Sequence, residues 1–158
     1  MFYNAIYMKN VLAIIMLLLT GISLSAQSDN PAYDKAAADS LGGDDYGMKM
    51  YVLVILKTGD KTAEKKVSDS LFAGHMQNIQ RLATEKKLVV AGPLAKNDKS
   101  YRGIFILNVK TIEEANALLA TDPAVAYGLL GAELYRWYGS AALPVYLGMH
   151  DKIQKKSM

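Results

Sequence analysis

Residues 50–91, MYVLVILKTGDKTAEKKVSDSLFAGHMQNIQRLATEKKLVVA, decide the fold, because the spacing of apolar residues changes twice within them. Met50-Tyr-Val-Leu-Val-Ile-Leu56 is an apolar, β-branched run closed by Thr58-Gly59-Asp60. That pattern predicts a short strand buried on both faces, followed by a turn. From about Lys61 to Lys87 the period lengthens. Val67, Leu71, Phe72, His75, Met76, Ile79, Leu82 and Ala83 recur at helical spacing, with Lys65, Asp69, Gln80 and Glu85 elsewhere on the wheel. Gly74 weakens this helix by about 1 kcal/mol relative to alanine. Leu88-Val-Val-Ala91 returns to strand character and is stopped by Gly92-Pro93.

Toward the C-terminus, polar residues 95–101 read as a loop and Gly103–Val109 as a third strand. Thr111 with Glu114 three positions on forms a capping box, opening a helix that buries Ile112, Ala115, Leu118 and Leu119. Asp122-Pro123 opens a second short helix, with Asp as cap and Pro at the first helical position, and Gly128 can end it. Ala132–Tyr138 completes the set as a strand, with Leu134 and Arg136 on one face and Glu133, Tyr135 and Trp137 on the other. The order βαββαβ predicts an α+β, ferredoxin-like domain. Helices would cover one face of its sheet, and a homodimer packing two sheets face to face would cover the other. The tail after Gly139 carries Leu143-Pro144-Val145-Tyr146-Leu147, which could pack on a sheet edge or a neighbouring subunit.

Toward the N-terminus, Lys9 precedes the apolar run Val11–Leu19, and Ser23-Leu24-Ser25-Ala26 follows with small residues. This is the pattern of a secretory signal peptide cleaved after Ser25 or Ala26; an uncleaved anchor is the rival reading, near the short limit for a bilayer span. Residues 27–47, rich in Ser, Asp, Asn, Ala and Gly, read as a flexible leader. The expected organisation is signal peptide 1–26, leader 27–47, domain 48–140 and tail 141–158, with the product periplasmic or secreted.

The net charge is +3, and Lys9 is the only charged residue in the signal segment, so the remainder carries +2. Its lysine pairs are flanked by acids and form no concentrated basic face, which argues against nucleic-acid binding. The chain has no cysteine, which excludes disulfides, thiolate metal sites, a cysteine nucleophile and an acylated-cysteine anchor. Two histidines, His75 and His150, without a carboxylate cluster do not make a metal site, and no glycine-rich phosphate cradle is present.

Several ordered features together resemble the YCII-related domain family over roughly residues 48–140. They are Tyr51–Leu56, His75 within the first helix, Leu88-Val-Val-Ala-Gly-Pro-Leu94, Gly103-Ile-Phe-Ile and Thr121-Asp-Pro-Ala-Val125. The resemblance implies a dimeric α+β barrel whose cleft, between sheet and helices, holds a histidine and an aspartate as an acid/base pair. In this chain those are His75 and Asp122. The family includes a dehydrochlorinase acting on a chlorinated trihydroxybenzene, and most members have no assigned reaction. The export segment, leader and extended tail set this chain apart from its simplest cytoplasmic members.

His75 falls beside Phe72, Met76 and Ile79 on the inward helical face, where an imidazole needs a partner and could serve proton transfer; a core histidine bonded to a carbonyl is the plainer alternative. Asp122 is explained by capping alone, and a cap can still turn its free oxygen toward an imidazole. Asn78, one turn after His75, and Arg102, beside Tyr101 at the mouth of the third strand, are candidate substrate-binding residues. Three functions follow as expectations. The first is a small cofactor-independent enzyme of lyase or isomerase type using His75 and Asp122 on an aromatic or enol-forming molecule. The second is a non-catalytic binding or sensing module in the same cleft, and the third a haem-binding barrel with His75 as axial ligand.

Overall fold

The computed structural model describes residues 30–155; the expected signal peptide lies outside them. Residues 30–34 form a small turn, in which the Tyr33 amide donates to the Asn30 carbonyl and the Ala32 amide to the Asn30 side chain. They are described apart from the unit that begins at Lys35. That unit runs α1 (Lys35–Leu41), β1 (Met48–Thr58), α2 (Lys65–Thr84), β2 (Leu88–Pro93), β3 (Tyr101–Leu107), α3 (Ile112–Leu119), α4 (Pro123–Tyr127), β4 (Leu130–Ser140), a 3₁₀ turn (Leu143–Tyr146) and α5 (Leu147–Ile153).

The four strands form one sheet in the order β2-β3-β1-β4, with every neighbouring pair antiparallel. Strands β1 and β2 are therefore parallel to each other with β3 between them, the split βαβ arrangement that the element order predicts. Val52, Val54 and Leu56 of β1 point to one face and meet Phe105, Leu107, Leu82, Ala115, Leu119 and Leu130 in the core. Full burial of such side chains contributes roughly 1.5–3 kcal/mol each. The opposite face of β1 differs from the expectation of burial on both sides. Tyr51 at its start is fully buried beside Trp137, but Leu53 and Ile55, with Ile104 and Ile106 beside them, are only half-buried, because all the core-forming helices lie on the other side. On β4, Leu134 sits opposite Val54 on the helix side. Glu133, Tyr135 and Trp137 stand opposite Ile55, Leu53 and Tyr51 on the open side, as the alternation predicts.

Helix α2 is shorter than its apolar period suggested. The amides of Gly59 and Lys61 donate to the carbonyls of Leu129 and Gly128 at 2.8 and 3.1 Å, which keeps that segment extended along β4's entry. At the other end Lys86 takes a left-handed conformation, φ 57°, and closes the helix. The capping box of α3 is complete: Thr111 Oγ1 accepts from the Glu114 amide at 3.2 Å and Glu114 Oε2 from the Thr111 amide at 3.1 Å. Gly128 ends α4 at φ 98°, a conformation that costs glycine little.

The leader contains α1, none of whose residues is buried, as its composition requires. Its last residues are nevertheless tied to the sheet. Tyr138 donates its hydroxyl to Asp44, and the Ala141 amide donates to the Gly47 carbonyl at 2.9 Å. In the tail, Tyr146 donates to the Val89 carbonyl of edge strand β2.

Candidate functional site

His75 sits in the middle of α2, and Asp122 immediately precedes α4, 47 residues later. Packing of α2 on α4 brings them together. Gly74 makes that approach possible: a Cβ there would lie 2.9 Å from Cγ of Pro123. The glycine that weakens α2 as an isolated helix thus lets the helix close on the segment that carries the aspartate. A glycine directly before an inward-facing histidine was the available signal.

The two side chains form a buried pair, with His75 Nδ1 2.6 Å from Asp122 Oδ2. Asp122 is fully buried and His75 is 8% exposed. The other carboxylate oxygen, Oδ1, accepts from the amides of Ala124 at 3.0 Å and Val125 at 3.3 Å. One oxygen therefore caps α4 and the other faces the imidazole. Burial alone would raise the Asp122 carboxyl pKa; the hydrogen bond and charge of His75, with the two amides, outweigh it and hold the group below the usual carboxylate value. An ionised Asp122 has no proton to give, so His75 Nδ1 is the donor.

That assignment leaves Nε2 for chemistry. Among the described residues no side chain or backbone group bonds Nε2 and no buried polar side-chain atom lacks a partner, so Nε2 is not buried, and His75 lines the cleft. The ring is held by aromatic neighbours: it stacks on Phe105 with centroids 5.9 Å apart and meets the edge of Phe72 at 6.2 Å. The cleft itself has a volume of about 390 Å³ and lies between α2 and the strands. Leu56, Phe72, Met76, Ile79, Phe105 and Leu130 make most of its wall; Gly92-Pro93 and Gly103 contribute backbone, and Arg102 stands at its edge. Met76 was expected inward and is 38% exposed, since it lies on the rim.

Of the four residues singled out from sequence, three belong to this site and one does not. Asn78 is buried, but it is not in the cleft wall. Its Oδ1 accepts from Arg81 Nη2 at 2.7 Å and lies 3.0 Å from the Thr121 hydroxyl, which Arg81 also reaches at 2.8 Å. One helical turn rotates Asn78 toward the residue before Asp122, and these bonds tie α2 to the segment that carries the carboxylate. Asn78 and Thr121 carried no periodic signal that would have paired them.

An imidazole on an apolar wall, backed by a buried carboxylate, can take a proton at an unprotonated Nε2 and return it elsewhere. The carboxylate fixes the tautomer and stabilises the imidazolium that forms. The model of the YCII-related domain matches residues 50–137. The uncharacterized protein YjpA of Bacillus subtilis (strain 168) is 27% identical over 90 residues, covering 57% of this chain and 95% of that protein. Among solved structures, 5-chloro-2-hydroxyhydroquinone dehydrochlorinase from Burkholderia phenoliruptrix AC1100, in complex with 2,5-dihydroxybenzoquinone, aligns at 23% identity with a TM-score of 0.38. That alignment covers 54% of this chain and 92% of the other.

Proposed function

The chain belongs to the YCII-related domain family, and from that premise we propose that it is a small exported acid/base enzyme acting without a cofactor on an aromatic or enol-forming molecule. The observation that carries this reading is the 2.6 Å contact between His75 Nδ1 and Asp122 Oδ2, buried behind a ring whose Nε2 opens on an apolar cleft. In this scheme neutral His75 removes a proton from the bound molecule through Nε2. Asp122 stabilises the imidazolium through Nδ1–H, and the same nitrogen returns the proton to another atom or to a departing group. Isomerisation and elimination are the reaction classes that one such pair supports. The apolar wall supports a flat, weakly polar ligand, for which stacking against Phe72 and Phe105 is available.

The export segment at residues 1–26 and a homodimer joined through the open sheet face are parts of this proposal. Fractionation of cells expressing the full gene is expected to place a processed chain, starting at Ala26 or Gln27, outside the cytoplasm.

Solvent exchange in D₂O tests the chemistry directly. Full-length protein incubated with a panel of hydroxylated aromatic and enolisable compounds is expected to accelerate deuterium incorporation into at least one of them. The His75→Ala variant should lose that acceleration by about 10²-fold or more, the usual weight of a positioned acid/base group. Ligands that bind wild type and variant alike with no exchange in either would favour a binding module and end the enzymatic reading.

A further inference from the structure

Beyond the rim of the His75 cleft lies a second hollow of about 440 Å³, and the two share Pro93 and Arg102 as a common wall. Their chemistry differs. The inner one is walled by apolar side chains around one imidazole, whereas the outer is walled by the polar β2–β3 loop, including Lys96, Asn97 and Ser100. Two cations, Arg102 and Lys96, line it, and among the described residues neither side chain is engaged in an ion pair. Other nearby cations are occupied: Lys57 pairs with Glu133 at 3.2 Å, and Lys99 lies over the Tyr101 ring at 5.9 Å. Asp98, the one carboxylate of the loop, is not part of the wall.

The loop is pre-shaped. The Asn97 side chain donates to the carbonyls of Ala95 and Tyr101 and accepts from the amides of Lys99 and Tyr101, all within 2.8–3.1 Å. Arg102 owes its place to a bulge: Leu56 pairs with Gly103 and Lys57 with Tyr101, so Arg102 has no partner on β1 and stands between the two hollows. Arg102 and Lys96, neither in an ion pair among the described residues, line a loop ordered by the Asn97 bonds and continuous with an apolar cleft; such a pair of cations suits one anionic group.

We propose that the two hollows form one bipartite site, whose outer half takes the carboxylate or phosphate of a ligand whose apolar end lies against His75. The proposal rests on the reading of the inner cleft as a ligand site and adds the charge and length of what it binds.

Three probes of similar length test it on the full chain at low ionic strength: 3-phenylpropanamide, 3-phenylpropanoate and 2-phenylethyl phosphate. Each is titrated while the His75 ring and the backbone amides of residues 94–103 are followed by NMR. At least one anion is expected to bind about tenfold more tightly than the amide, shifting both regions. The preferred anion identifies carboxylate or phosphate as the group recognised. In an Arg102→Gln, Lys96→Gln double variant that advantage should fall to about twofold or less. Equal affinity for all three, an advantage unchanged in the double variant, or anion binding that leaves His75 unmoved would overturn the proposal while leaving the inner-cleft reading standing. No response at His75 to any probe would overturn both.

Discussion

Replacing Asp122 with asparagine would leave an amide oxygen to cap α4 but would remove the charge that faces His75 Nδ1 at 2.6 Å. The variant is expected to fold with a loss of about 1.5–3 kcal/mol, the range for a hydrogen bond to a charged group. Its exchange activity should fall by about 10²-fold or more, because the imidazolium is no longer stabilised. The same carboxylate sets a pH signature. Its folded pKa lies below the ordinary 3.8, so between those two values the unfolded chain binds more protons than the native one. The stabilisation is fully present above 3.8 and is lost as pH falls through the lowered native value. Thermal melts of wild type from pH 6 to pH 2 should therefore drop more steeply below pH 4 than those of Asp122→Asn; parallel curves would contradict the account. At this scale the inward position of His75 and the capping role of Asp122 were legible because helical spacing and cap chemistry are local; that the two meet was implied only by the family resemblance. The bond between Asn78 and Thr121 was not legible, because the two lie 43 residues apart.

At the scale of the elements, α2 and α4 meet through a contact that helix propensity alone would forbid. Alanine at position 74 favours an isolated helix by about 1 kcal/mol, yet its Cβ would lie 2.9 Å from the rigid Pro123 ring. Gly74→Ala is expected to destabilise by about 1–3 kcal/mol, as overpacking does, and to reduce activity by moving His75 from Asp122. Thr111→Ala, at the far capping box, should cost a similar amount, about 1 kcal/mol, while leaving turnover unchanged. Denaturant melts with exchange assays on both variants separate a site effect from a general one. The strands, α3 and the Asp122-Pro123…Gly128 helix followed from sequence, since turn residues, caps and alternation announce themselves locally. The limits of α2 did not, because hydrogen bonds from Gly59 and Lys61 to residues 128 and 129 decide where it starts. Helix α1 was likewise hidden: KAAADSL is short, and Leu41 is its one apolar residue larger than alanine, too little to mark a buried face.

For the molecule as a whole, the open sheet face is the outstanding feature. Leu53, Ile55, Ile104 and Ile106 form a half-buried apolar strip, with Tyr135 half-exposed beside it. This solvated patch on the central strands is the surface through which the proposed homodimer would pack. Sedimentation or light scattering of the full chain is expected to give a dimer, and a Leu53→Asp, Ile106→Asp variant a folded monomer. A monomeric wild type at high micromolar concentration would remove the dimer from the proposal. Sequence pattern indicated that this face needed cover, because the first strand is apolar on both sides.

The shared carboxylate of Asp122 makes the start of α4 a built-in reporter. Because Oδ1 holds the amides of Ala124 and Val125 while Oδ2 holds the imidazole, any change of charge on the ring redistributes electron density across both oxygens. The nitrogen resonances of those two residues should then follow proton traffic at His75 in real time, without a label at the ring itself.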